Sequence, residues 1–154
     1  MVTSITFALI DRLIDVLATG LPGVRVLDGD VVSGDAGDYL AVGWEDPDSD
    51  RSTSATAQQG WNGLGAKSRR ESGSVTCLAL SWNGDPAGLK AARDAVQAMT
   101  ATVENLLRAE PNLGGIVPGL LWTSYGTRTD LKQWLSAEGS VAVCTFEIAF
   151  EAKI

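Results

Sequence analysis

The segment Ser140 to Ala152 alternates with a period of two. Ala142, Cys144, Phe146, Ile148 and Phe150 fall on one side, and Thr145, Glu147 and Glu151 fall on the other. A strand of this kind buries one face and gives the other to water, as in an antiparallel or mixed sheet covered on one side. A slip of one residue would carry both glutamates into the core, so the pattern also pins the register. Leu120 to Leu135 precedes it, with Ser136 to Gly139 as the turn, which predicts a large C-terminal β-hairpin.

Upstream, the periodicity changes. Phe7, Ile10, Leu13, Ile14 and Leu17 recur at helical spacing, with Asp11, Arg12 and Asp15 opposite, which predicts a helix from about Ser4 to Thr19 capped by Thr3 or Ser4. Gly20, Pro22 and Gly23 end it. Val24 to Asp28 and Tyr39 to Glu45 read as strands, the second with Leu40, Val42 and Trp44 on one side. Val75 to Trp82 is another strand of core character. Asp85 as N-cap and Pro86 at the first helical position open a second helix reaching about Ala109. Its inward stripe is Leu89, Ala92, Val96, Met99, Val103 and Leu106, and Glu110-Pro111-Asn112 stops it.

Between Asp46 and Ser74 the chain is Ser, Thr, Gln, Gly and charge, with Trp61 and Leu64 as isolated large apolar residues. A passive connection of that length is unusual in a compact domain, and the choice lies between disorder and a polar β-arm projecting from the body. The Thr and Ser spacing over Ser52 to Gln58 favours the arm. An exposed Trp61 there is an interface anchor. The expected architecture is a single α+β domain over 1–154: a two-layer sandwich of a mixed or antiparallel sheet, two helices on one face, the arm at 46–74 and the C-terminal hairpin.

Composition narrows the chemistry. Of 154 residues, 45% are apolar and 20% charged, which is a globular balance. There is no histidine, which removes His-based triads, His-ligated zinc and His pH switches. A formal charge of −7 argues against a nucleic-acid-binding face. No apolar run approaches the roughly 20 residues of a membrane span, and Met1-Val2-Thr3-Ser4 lacks the basic lead of a secretory signal.

Four local patterns invite chemistry and fail on detail. Gly60 to Ser68 has glycines and a Lys-Ser pair, but Ala66 stands where a phosphate loop needs Gly before Lys67, and no helix follows. Asp46, Asp48 and Asp50 alternate like calcium-loop ligands, but Arg51 and Ala57 occupy the positions requiring Gly and Glu. Cys77 and Cys144 lie in apolar strands without a base to form a thiolate, so both read as core residues; a disulfide is conceivable if their strands are neighbours. Glu147 and Glu151 share the outer face of one strand and read as a charged edge or interface, since a glycosidase-like pair needs an apolar cleft around it. No enzyme activity, metal or cofactor is expected. A carboxylate-dependent hydrolase is the competing enzymatic reading.

The segment Gly63-Leu64-Gly65-Ala66-Lys67-Ser68-Arg69-Arg70-Glu71 leads into Val75-Thr76-Cys77, then Trp82-Asn83-Gly84-Asp85 and the long helix. With the N-terminal helix and C-terminal hairpin, this order resembles the tail terminator proteins of long-tailed, siphovirus-type bacteriophages over nearly the whole chain. The resemblance implies a virion protein of the tail neck, made in the host cytoplasm. It also implies a homo-oligomeric ring, a hexamer in the family, that caps the tail tube, stops its polymerisation and joins the head connector or stopper, with DNA passing through the lumen. A head–tail connector or a tube subunit is the neighbouring alternative. For such a ring the candidate interface residues are Trp61 as anchor, Arg69, Arg70 and Glu71 for charge pairing, and Glu147 and Glu151 on the outer sheet face.

Overall fold

The structure is a computed structural model describing residues 2–31, 34–65 and 67–154. Its described elements are α1 (Thr6–Gly20), β1 (Arg25–Asp28), β2 (Gly37–Val42), β3 (Ala55–Trp61), β4 (Arg69–Asn83), α2 (Leu89–Ala109), a short 3-10 turn (Leu113–Gly115), β5 (Leu120–Ser136) and β6 (Gly139–Lys153). The strands make one mixed six-stranded sheet of order β1-β2-β4-β6-β5, with β3 paired to the other half of β4's β2 edge. Only β1–β2 is parallel among these pairs. This is the α+β class expected from the sequence.

Both helices lie on the same face. Leu9, Leu13 and Leu17 of α1 and Ala92, Val96, Met99, Val103 and Leu107 of α2 are buried. They join Leu40, Val42, Val75, Cys77, Ala79, Ala142, Cys144, Phe146, Ile148 and Phe150 in one core. The C-terminal strand therefore faces inward with the residues its alternation indicates. The stripe of α1 differs by a small rotation: Leu9 is inside, and Phe7, expected inside, is 73% exposed.

The N-terminus of α1 is held by a strand, not by its own cap. Ser4 Oγ does accept from the Thr6 N–H at 3.1 Å, but the Ile5 N–H donates to Glu71 Oε1 at 2.9 Å and Ser4 Oγ donates to the same oxygen at 2.8 Å. A carboxylate at a helix N-terminus meets an orphan backbone N–H and the positive end of the helix dipole. Glu71, expected on an exposed arm for pairing with a neighbour, is thus fully buried within its own chain.

The second helix begins at Leu89, later than expected. Asp85 Oδ1 accepts from the Ala87 N–H at 2.9 Å, and Ser140 Oγ reaches the carbonyls of Asp85 and Pro86 at 2.9 and 3.1 Å. Those carbonyls are the acceptors that a helix starting at Asp85 would use. The turn is instead tied to β6.

Strand β2 also departs from strict alternation. Gly43 has φ +74°, a left-handed conformation suited to glycine, while the next N–H, of Trp44, still donates to Thr76 O at 2.9 Å. This bulge moves Trp44 off the core side occupied by Leu40 and Val42 and onto the open face of the sheet.

The segment expected as a projecting arm is a hairpin built into the sheet. Strand β3 pairs with Arg69–Val75, and Arg70 to Ser74 simultaneously pair with β6. Among the described residues of this hairpin, Asn62, Gly63, Leu64, Gly65, Lys67 and Ser68 lie beyond the β3–β4 pairing. Ala66, on which the phosphate-loop comparison turned, lies outside the described residues.

Glu71→Ala leaves the buried Ile5 N–H without its acceptor and removes one acceptor each from Ser4 and Gln59, and should cost about 1–3 kcal/mol in urea denaturation. Glu147→Ala on the exposed face should stay within about 0.5 kcal/mol. Equal effects would show that the helix terminus does not depend on the carboxylate.

Candidate interaction surface

The β3–β4 turn presents apolar surface on a rigid support. Trp61 faces Arg69 across the strand pair, with the guanidinium carbon 5.6 Å from the ring centroid. Asn62 Nδ2 donates to Ser68 Oγ at 2.8 Å and its backbone N–H donates to Ser68 O at 3.2 Å, closing the turn. Trp61 is 68% exposed and Leu64 wholly so.

Behind the tip, a chain of polar contacts runs to α1. Arg69 donates to Gln59 Oε1 at 2.7 Å, and Gln59 Nε2 donates to the Thr3 carbonyl at 2.5 Å and to the Glu71 carboxylate. The hairpin is therefore clamped to the start of the first helix. Glu71 serves this clamp and Arg69 fixes the Trp61 ring.

Arg70 and Glu151 share the helix-free face of the sheet and form an ion pair at 2.7 Å. The indole Nε1–H of Trp122 donates to the other oxygen of Glu151 at 3.2 Å. Glu147 is exposed on the same face, opposite Thr76. Four residues along one strand place it about 13 Å from Glu151. That exceeds the ~5–9.5 Å of glycosidase carboxylate pairs, so the two do not form such a dyad. The sequence expectation thus separates into three places: Trp61 with Arg69 at the tip, Arg70 with Glu151 on the sheet, and Glu147 apart.

The helix-free face carries a second apolar region that alternation did not reveal. Ala41, Leu78, Val141 and Val143 are buried there, with Val31, Trp44, Leu80 and Trp82 packed against them. Near the Trp82 end it forms a groove of about 270 Å³ whose lining includes Tyr39, Leu80, Trp82, Trp134 and Val141, with Asp30 and Asp35 in the wall. Trp134 is 49% exposed. The groove is held in shape: Tyr39 Oη donates to the Asp35 carbonyl at 2.6 Å, Arg25 donates to Tyr39 Oη at 2.8 Å, and the Trp82 indole donates to Glu138 O at 3.2 Å. The signal for it was present in Leu78-Ala79-Leu80-Ser81-Trp82, where apolar side chains fall on both faces of one strand.

Farther along the same face, a wider depression of about 710 Å³ is lined by Trp44, Arg51, Arg128, Asp130, Lys132 and Glu147 among others. Arg128 pairs with Asp130 at 2.9 Å. Its neighbour, the Asp46–Asp50 segment, is a turn in which Asp46 Oδ1 accepts from the Asp48 N–H at 2.9 Å. Lys67 follows a β-hairpin turn and leads into a strand, not into the helix start a phosphate loop requires.

Both cysteines are buried and free. They sit on adjacent strands, but Cys77 pairs with Phe146 and Cys144 with Ala79. Such diagonal neighbours stand about 7 Å apart, beyond disulfide geometry. Burial pushes the Cys77 thiol from its ordinary 9.0 up to about 12, opposed weakly by a hydrogen bond to the Gly43 backbone. Burial likewise raises Cys144 and Tyr125. Raised thiols are poor nucleophiles, and the pair belongs to the core.

No protein-family model matches the chain, and none of the curated proteins compared with it matches. No helix among the described residues is long and apolar enough to cross a membrane. What the geometry offers is two unlike apolar surfaces, a projecting tip and a lined groove, at different ends of one sheet.

The raised Cys77 thiol sets a pH dependence. The folded chain keeps the proton that the unfolded chain loses near pH 9, so this contribution is complete below pH 9 and is lost as pH climbs toward about 12. Urea midpoints measured from pH 8 to 11 should fall more steeply for the native chain than for Cys77→Ala. Parallel curves would contradict the assignment.

Proposed function

We propose that the chain is a structural virion protein that forms a ring on the end of a phage tail tube, ends tube growth and provides the joint to the head connector or stopper. The observation that carries this reading is the pair of dissimilar exposed surfaces, Trp61 with Leu64 on the β3–β4 tip and the aromatic groove beside Trp134. Dissimilar patches on one subunit make heterologous contacts, which close into a ring when the rotation between copies allows it. The element order that resembles tail terminators supports the same reading, and the family's usual hexamer sets the expected stoichiometry. The location in the virion tail neck follows from this proposal.

The mechanism is geometric. One face of the ring matches the last ring of the tube, and the other withholds the surface on which another tube ring would add. Six copies at −7 each bring roughly −42 to the assembly. A lumen of that sign repels the phosphate backbone, so DNA passes without adhering. No bond is made or broken, and the chain needs no cofactor for this task.

Deleting the gene from the phage that carries it should leave abnormally long tubes without capsids, seen by electron microscopy. Capsid-free tails of normal length would assign the chain to the connector instead. Absence of tubes would make it a tube subunit, and normal virions would remove it from the neck altogether.

A further inference from the structure

The tip and the groove cannot meet within one molecule. Trp61 pairs with Arg69 at the start of β4, whereas Leu80 and Trp82 lie near its end. Eleven residues of antiparallel strand separate Arg69 from Leu80, about 37 Å along a sheet paired on both edges. A chain's own tip therefore cannot fill its own groove.

Charge favours a second copy. Lys67 and Arg69 flank the tip, while Arg70 is already paired with Glu151 on the open face. The groove wall holds Asp30 and Asp35, with the Arg25 guanidinium 3.9 Å from the Asp35 carboxylate. Each copy thus carries two basic residues beside an apolar tip, and two acids, one of them paired with Arg25, beside an apolar groove. Both partners are preorganised: the tip by Arg69, Asn62 and Ser68, the wall by Tyr39, Arg25 and the Asp35 carbonyl. Preorganisation lowers the ordering cost of association.

We propose that, within the ring, the β3–β4 tip of one copy seats Trp61 and Leu64 in the groove formed by Tyr39, Leu80, Trp82, Trp134 and Val141 of the next copy, with Lys67 and Arg69 facing Asp30 and Asp35. The contact is head-to-tail, since each copy offers its tip on one side and its groove on the other. This inference rests on the ring reading above and names the surfaces that make it.

Mass photometry of four samples tests it: the native chain, a tip variant (Trp61→Ala with Leu64→Ala), a groove variant (Trp134→Glu), and an equal mixture of the two. The substituted side chains are all exposed, and thermal melts check that each variant folds. The native chain should form rings. Each variant alone should be monomeric, with self-association weakened about 30-fold or more, as for loss of a buried aromatic anchor. The mixture should give dimers, because an intact tip on the groove variant still meets an intact groove on the tip variant. Rings from either variant, or a mixture that stays monomeric while the native chain forms rings, would overturn this docking and leave the ring itself standing. A native chain that stays monomeric at every concentration would remove both.

Discussion

Strand β4 is hydrogen-bonded on both edges along almost its whole length, and the other elements take their positions from it. Its β6 edge is paired from Arg70 to Asn83, while its other edge is shared between β3 and β2. Because side chains alternate, Glu71, Val75, Cys77 and Ala79 face the helices, whereas Arg70, Leu78, Leu80 and Trp82 face outward. One strand thereby supplies the helix clamp, the core and the open surface. It also fixes the hairpin tip and the groove at opposite ends of a stiff element, so the contact proposed between them is intermolecular.

The open sheet face is unusual in being apolar where the helix-bearing face already provides a core. Ala41, Leu78, Val141 and Val143 are buried there by a thin cover of Val31, Trp44, Leu80 and Trp82. An arrangement of buried aliphatic residues rimmed by half-exposed tryptophans is the form of an interaction site, with anchors surrounded by groups that exclude water. The remaining long edge, β5, carries Arg128, Asp130 and Lys132 and two irregularities of register, features that discourage unplanned strand addition.

Much of the fold was legible because burial is one-sided. Ala142 to Phe150 on β6 and Ala92 to Val103 on α2 have periodicities that only one packing satisfies. What was hidden depended on contacts distant in sequence. Glu71 lies in a polar run, Glu71-Ser72-Gly73-Ser74, whose strand character comes from partners on both edges and not from its own residues. Its role at the start of α1 bridges a separation of 66 residues. The start of α2 was misread because residues 85–88 close as a turn, with the Gly88 N–H donating to the Asp85 carbonyl, and Ser140 from another element ties that turn to β6. Trp44 changed faces through one backbone angle at Gly43, which no alternation rule contains. Of the interface candidates, Trp61 stood out through its polar surroundings, while the groove needed the register of four strands to bring Tyr39, Leu80, Val141 and Trp134 together.

A site-specific cross-link between copies tests the head-to-tail contact most directly. With both native thiols buried, a chain carrying Lys67→Cys and Asp30→Cys keeps Trp61, Leu64 and Trp134 and presents two reactive positions, one beside the tip and one in the groove wall. Mild oxidation should give a ladder of covalent oligomers ending at the closed ring, and neither single substitution should give more than a trace. Rings that assemble yet yield no ladder from the double variant would contradict the account.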